Sequence, residues 1–230
     1  MKVEIWSDVM CPFCYIGKRR FEDALQQFAH KDEVEIEWKS FQLNPDMKTD
    51  PSVNISQYLA DAKGWTLEYA QQMNKHVTEM AAEVGLQYDF DRSVVANSFN
   101  AHRFSHLAKK YNLGDAAEEQ LFKAYFTLGK NIDDADTLAE LGTEIGLDKD
   151  EVLAVLNSSQ YSDDVKHDIA EAQYLGIRGV PFFVMNGKYA VSGAQAVPVF
   201  SETLEKAFGE FKPDLDVTDG PVCGPDSDNC

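Results

Sequence analysis

The 230-residue chain has no apolar run approaching the ~20 residues that a membrane-spanning helix needs. It also lacks the basic segment and long apolar stretch of a secretory leader. Met1-Lys2-Val3-Glu4-Ile5-Trp6 reads instead as the start of a strand. Together these absences predict a chain that stays in the cytoplasm. Positive charge is scarce, with 21 Lys and Arg against 39 Asp and Glu and a net charge of −18. Such a surface is soluble and repels phosphate backbones and anionic headgroups, so neither nucleic acid nor membrane is expected as a partner. There is no internal repeat. Cysteine is sparse too, with four in all. A chain of this length buries roughly 70% of its unfolded surface without covalent staples. In a reducing compartment disulfides are usually transient and catalytic, so these cysteines are read for chemistry before structure.

The rest of the pattern is orderly. Val3 and Ile5 alternate with polar neighbours, then Cys11-Pro12-Phe13-Cys14 opens a stretch with Cys14, Phe21, Leu25 and Phe28 at helical spacing. Proline suits a first helical turn, where its missing N–H has no partner to lose. Val34, Ile36 and Trp38 alternate as a second strand over 34–38. Phe41 and Leu43 continue with opposite parity, which predicts a bulge near Lys39-Ser40. From about 55 to 175 the periodicity turns helical. Trp65, Tyr69, Met73, Val77, Met80 and Val84 form one apolar face, and Phe104, Leu107, Ala108 and Tyr111 another. Leu121, Tyr125 and Leu128 form a third, and all are read as core. Asp136 caps a further helix that stops at Gly146.

Strand character returns at 180–185, Asn186-Gly187 signals a two-residue hairpin, and 188–191 is its partner. Val197, Phe200, Leu204 and Phe208 mark a last helix. The order predicts an α/β fold, a thioredoxin-like core (β-α-β … β-β-α) with a large helical insertion between its halves. The core takes 1–45 and 176–210, the insertion 46–175, and 211–230 is an acidic tail expected to be flexible.

Two local cysteine pairs carry the chemistry: Cys11-x-x-Cys14 and Cys223-x6-Cys230. Short loops close at the least entropic cost, so each pair is expected to bond to itself. At a helix start, the first cysteine meets unpaired N–H groups and the positive end of the helix dipole, which stabilise an attacking thiolate. The second, a turn away, can resolve a mixed disulfide. Lys18, Arg19 and Arg20 are expected to add positive potential. A zinc half-site or a pair of inert thiols are the competing readings. Pro12-Phe13 offers no cation and no side-chain donor between the cysteines, so the couple should be less oxidising than one with histidine at position 13. The tail aspartates lack a twelve-residue calcium loop with its central Gly and final Glu, so no metal is expected.

Ser7-Asp8-x-x-Cys11-Pro12-x-Cys14-Tyr15-x-Gly17-Lys18 resembles the active-site segment of cytoplasmic DsbA-like proteins of the FrnE type. Asn97-Ser98-x-x-Ala101-His102-Arg103-Phe104 resembles a later helix of that family. Leu121–Phe126 with Gly129 and Ile132 resembles the helix after it. Gly176-Ile177-x-Gly179-Val180-Pro181-Phe182-Phe183-Val184, followed by Ser192-Gly193-Ala194-Gln195, resembles its cis-proline strand and partner. The resemblance implies that Pro181 is cis beside Cys11 and that the Val180 backbone pairs with a bound peptide. On the sequence alone, Pro181 is a strand-start proline. The resemblance also places Asn97 and His102 near the groove as support, while Asp8 reads as a local cap or turn residue. Some relatives carry a second C-terminal pair, which implies a shuttle through Cys223 and Cys230; incidental thiols, a protective local disulfide or metal binding are the other readings.

The implied activity is disulfide reduction, isomerisation or oxidation of protein substrates, linked to stress response. Glutathione or a thioredoxin-type partner would recycle the enzyme, with no metal or organic cofactor. Two alternatives stand beside it. One is a glutathione-dependent isomerase or transferase of the kappa or hydroxychromene-carboxylate type, which usually has serine where Cys11 stands. The other is a redox-linked holdase chaperone.

Overall fold

The computed structural model describes residues 1–210. Strand β1 (Lys2–Ser7) runs into helix α1 (Pro12–Gln27), and the chain returns as β2 (Glu35–Ser40), parallel to β1. Hairpin β5 (Phe182–Met185) and β6 (Tyr189–Ser192) completes a sheet of order β2-β1-β5-β6, and α9 (Val197–Gly209) follows. β5 pairs antiparallel with β1, placing Ile5 opposite Phe183 and Trp6 opposite Phe182. Asn186 and Gly187 have φ of 54° and 63°, the paired positive values of the predicted hairpin turn.

The pleat sends alternate residues to opposite faces. Val3, Ile5, Phe183 and Met185 join α1 and α9 through Phe21 and Phe200. Phe183 meets both rings, at centroid distances of 5.4 and 4.7 Å. Trp6 turns the other way, onto Ala172 and Ile177, with Phe41 and Val180 alongside. The expected bulge at Lys39-Ser40 is absent, since β1 and β2 pair without a break from Lys2↔Glu35 to Ser7↔Ser40. The parity change marks the end of the strand. Phe41 N–H still donates to Ser7 O (2.9 Å), but its ring crosses to the Trp6 face.

Between β2 and β5 lie β3 (Asp50–Asn54), α2 (Ile55–Lys63), α3 (Leu67–Glu83), β4 (Val94–Val95), α4 (Phe99–Lys110), α5 (Gly114–Phe126), α6 (Ala135–Glu144), α7 (Lys149–Leu156) and α8 (Ser162–Tyr174). The two short strands pair antiparallel. Helical periodicity did not reveal them, because β4 has only two residues and β3 contains Pro51. The proposed 65–84 face is also corrected. Gly64 ends α2 with φ 66°, and the Thr66 side chain caps α3 by accepting Tyr69 N–H. The buried side of α3 is Ala70, Asn74, Val77 and Ala81, while Trp65, Tyr69 and, on α4's end, Tyr111 are exposed. Asp134 caps α6 in place of Asp136, accepting Thr137 N–H at 2.8 Å. One apolar core nevertheless runs from the sheet through α1 and α9 into the insertion, joining Ile5 and Phe21 to Phe104, Leu121 and Phe122.

The outer edge of β2 is closed by side chains. Lys109 Nζ donates to Trp38 O (2.9 Å), and Asp168 Oδ2 accepts Ser40 N–H (2.9 Å). Such capping removes the unpaired backbone that makes an edge strand sticky. Asp168 also meets His106 Nε2 at 3.1 Å and Lys39 Nζ at 3.4 Å.

Candidate active site

Cys11 is the N-cap of α1 (φ −86°, ψ 111°), and Pro12 is its first helical residue. The Cys11 N–H donates to Asp8 O at 2.9 Å, and Cys14 N–H donates to Cys11 O at 3.0 Å. The turn therefore stacks both sulfurs at the end of β1. Both cysteines are free thiols, 4% and 1% exposed, under a rim on which Phe13 is 38% exposed. Cys11 Sγ donates to Val180 O at 3.5 Å. The Val180–Pro181 peptide is cis, and Pro181 O accepts Gly193 N–H at 2.8 Å. Helix α1 passes this loop at Gly17, where a Cβ would sit 2.9 Å from Pro181 Cγ. The fold thus brings Cys11, Pro12, Cys14, Val180 and Pro181 together from sequence positions far apart.

The two sulfurs differ in surroundings. Burial pushes the Cys14 thiol well up, and Cys11 beside it adds to the effect. The Ser7 hydroxyl and the Asp8 backbone oppose this only in part. Ser7 Oγ is buried without a hydrogen-bond partner among the described residues. Cys14 therefore rests as a protonated thiol behind Cys11.

The basic residues expected to add positive potential are already engaged. Lys18 is 2% exposed and pairs with Glu22, with Asp115 at 3.3 Å and with Glu119 at 3.2 Å. Arg19 pairs with Glu119 and, at 2.7 Å, with Glu22. Arg20 donates to Ala194 O at 2.6 Å. Burial raises the Glu119 carboxyl, but Arg19, Tyr15 and Lys18 outweigh it and hold the group at about 2. Lys18 and Arg19 tie α1 to α5 and Arg20 ties it to the segment after β6, and carboxylates neutralise Lys18 and Arg19 before they can act on sulfur.

Asp8 is fully buried and acts as the expected turn residue. Its carboxylate accepts Met10 N–H (3.3 Å) and Leu43 N–H (2.7 Å), joining the cysteine loop to the segment after β2. His102, on α4, brings Nε2 to 3.5 Å from Asp8 Oδ1, too long for a good hydrogen bond. That nitrogen is buried and has no hydrogen-bond partner among the described residues. Asn97 makes its hydrogen bonds with the 42–49 segment and Phe99 rather than with the cysteines. It accepts Phe99 N–H (2.8 Å) and donates to Met47 O (2.8 Å), pinning the 41–49 segment to the start of α4.

Sequence reasoning missed Tyr88, whose hydroxyl donates to Pro12 O at 2.7 Å from the loop before β4. No local motif marks it; only the tertiary fold carries it to α1. Among the described residues, no group of three His, Cys, Asp or Glu side chains is arranged to hold a metal. Nor is any described helix long and apolar enough to cross a membrane. Cys223 and Cys230 lie outside the described residues.

The model of the DSBA-like thioredoxin domain family matches residues 2–205. The crystal structure of probable DsbA oxidoreductase SCO1869 from Streptomyces coelicolor superposes with a TM-score of 0.86 at 40% identity, covering 98% of this chain and 97% of that one. Uncharacterized protein YwbO of Bacillus subtilis (strain 168) is 32% identical over 208 residues, 88% of this chain and 94% of its own length. Cytosolic disulfide reductase DsbM from Pseudomonas aeruginosa shares the fold at 16% identity and a TM-score of 0.64, over 91% of this chain and 99% of that one. The match to the family model over nearly all of the described chain, with the Streptomyces and Bacillus proteins each covered over most of its own length, shows that this protein belongs to the DsbA-like thioredoxin domain family.

Proposed function

We propose that this protein is a thiol–disulfide oxidoreductase of the FrnE type, exchanging two electrons with disulfide-containing proteins through Cys11 and Cys14. The observation that carries the reading is the asymmetry of the pair. Cys11 caps a helix against Val180 O, while Cys14 waits one turn behind it, buried and protonated. In the reducing direction Cys11 thiolate attacks a substrate disulfide, forming a Cys11–substrate bond and expelling the first substrate thiolate. Cys14 then gives up its proton and attacks Cys11 sulfur, which releases the second substrate thiolate and leaves Cys11–Cys14 oxidised. The substrate gains two electrons and the enzyme loses them; isomerisation stops at the mixed disulfide, and oxidation reverses the steps. Ionised Cys11 can no longer donate to Val180 O, which frees that carbonyl to accept an N–H from an extended substrate segment.

Two thiols of glutathione, or one reduced thioredoxin-type dithiol, would restore the enzyme. No metal or organic cofactor enters this cycle. A cytoplasmic location and a link to stress belong to the same proposal, as does a relay through Cys223 and Cys230, which rests on sequence alone.

Insulin reduction coupled to glutathione tests the reading. Cys11→Ser should abolish turnover, and Cys14→Ser should accumulate the mixed disulfide. Full turnover in both variants would sink the proposal. A glutathione-dependent isomerase, by contrast, has no step that requires Cys14. Unchanged turnover in Cys223→Ser/Cys230→Ser would remove the relay while leaving the main reaction standing.

A further inference from the structure

Tyr88 reaches the cysteine loop from 76 residues away in the chain. Its ring is buried, stacked on Phe126 at 4.6 Å and facing Tyr15 at 6.2 Å, with Phe90 edge-on at 5.7 Å. The hydroxyl is thereby aimed at Pro12 O, 2.7 Å away. Pro12 C=O and Phe13 N–H are the two ends of one peptide group. Phe13 is the second residue of α1, and N–H groups at the second and third helical positions are those that an N-cap side chain accepts. The N-cap here is Cys11.

In the dithiol, Cys11 does not use that position, because its S–H donates to Val180 O. Once ionised it can only accept, and of the helix donors within reach of an N-cap side chain Cys14 N–H already donates to Cys11 O, which leaves Phe13 N–H. A hydrogen bond to the carbonyl end of a peptide group polarises it and strengthens the donor at the other end. We infer that Tyr88 is a positioning residue for the Cys11 thiolate, acting through the Pro12–Phe13 peptide group. The inference deepens the proposed function and rests on Cys11 being the attacking sulfur. Tyr88 is suited to stay a donor throughout. Burial, with the neighbouring Cys11, Tyr15 and Cys14, pushes its phenol far above the ordinary tyrosine range.

The test uses the full chain carrying Cys223→Ser/Cys230→Ser, so that Cys11 and Cys14 are the only thiols. Tyr88→Phe keeps the ring and removes the donor. Iodoacetamide alkylation of Cys11 at neutral pH, followed by peptide mass spectrometry, should slow about threefold. Because thiolate stabilisation favours the reduced form, the equilibrium with glutathione should shift about threefold towards the Cys11–Cys14 disulfide. A structural role alone would lower thermal stability and move neither number. The Pro12 carbonyl ¹³C shift reads the hydrogen bond directly and should change on substitution.

An unchanged carbonyl shift would overturn the inference, because the bond would then be missing in solution. So would a changed shift with unchanged alkylation and equilibrium, because the bond would then have no effect on sulfur. If Cys11→Ser keeps full turnover, the proposed function falls first and this inference with it. Normal Cys11 dependence with an indifferent Tyr88→Phe overturns the inference alone.

Discussion

Two buried polar regions lie side by side at one end of the sheet, joined through the pair Ser7↔Ser40. On the Ser40 side, Asp168 serves Ser40 N–H, His106 and Lys39, and Lys109 serves Trp38 O. On the Ser7 side the groups are buried just as deeply, but Ser7 Oγ and His102 Nε2 have no hydrogen-bond partners among the described residues and the Cys14 thiol is raised by its burial. Unpaired buried polar atoms are rare in native proteins and costly to keep. The two on the Ser7 side fit the proposed function, in which a charge forms there only during reaction. The paired region is arranged for a charge that is always present. The first should govern turnover and the second stability.

The largest expected effect breaks the Ser7 side. Cys11→Ser should cost at least about 100-fold in disulfide reduction while leaving the thermal midpoint nearly unchanged. Loss of fold in that variant would mean that the sulfur is structural. The next breaks the Ser40 side. Asp168→Asn should destabilise by about 3 kcal/mol, because it removes the charge of a buried carboxylate that pairs with Lys39 and Lys109, although Lys39 keeps Glu171 and Glu37. Turnover at a temperature where the variant stays folded should persist. Acid should expose the same group in the unaltered protein. Burial raises the Asp168 carboxyl, but His106, Lys109 and the Ser40 N–H outweigh that and hold it at about 2. A depressed carboxyl contributes stability that is complete above the unfolded value and lost as pH falls through the folded one. About 2 kcal/mol should therefore disappear between about pH 4 and pH 2. Denaturant melts over that range should show the loss in the unaltered protein and a shallower one in Asp168→Asn.

Of the two regions, the sequence displayed the cysteine-bearing one far better. Cys11-Pro12-Phe13-Cys14 between a strand and a helix is a local pattern, and so is Asn186-Gly187 between strands. Local patterns survive without knowledge of the fold. Pro181 needed the resemblance, since nothing near it in sequence says that it meets Gly17. Asp168, His106, Lys109 and Lys39 come from α8, α4 and β2, and each reads in isolation as an ordinary charge on a solvated face. Tyr88 has the same defect as a signal. Lys18 and Arg19 erred in the opposite direction, because adjacency to the cysteines suggested potential on sulfur while α5 supplied carboxylates to neutralise it. Tyr69 kept the right spacing but falls on the exposed side of α3, while Ala70 and Ala81 pack closely on the buried side and Trp65 precedes the helix and is left outside.

A smaller effect sharpens the comparison at the contact between helix and loop. Gly17→Ala should strengthen α1 by its helix propensity, worth up to ~1 kcal/mol. The new Cβ, however, meets Pro181 Cγ at 2.9 Å and Phe183 Cζ at 3.5 Å. The loop must yield, carrying Val180 O away from Cys11. Turnover should fall about tenfold, as expected when a substrate-positioning group is displaced, while the thermal midpoint moves little. A fall in both together would mean that the contact holds the fold rather than the site.

The smallest effect is the most discriminating, because its two readouts should move in opposite directions. Removing a hydroxyl that has a good buried partner destabilises a protein, whereas removing one that has none relieves a desolvation cost. Ser7→Ala should therefore leave stability unchanged or raise it by up to about 1 kcal/mol. The same hydroxyl is the side-chain group that favours ionised Cys14, so its loss should slow the resolving step and let the mixed disulfide at Cys11 accumulate. Acid quenching and mass spectrometry during turnover would count that species. A destabilised Ser7→Ala with normal resolution would place Ser7 in the same class as the Asp168 network, and the contrast between the two regions would fail. A variant that is no less stable yet resolves slowly would show that an unpaired atom is kept here for the charge that forms on Cys14.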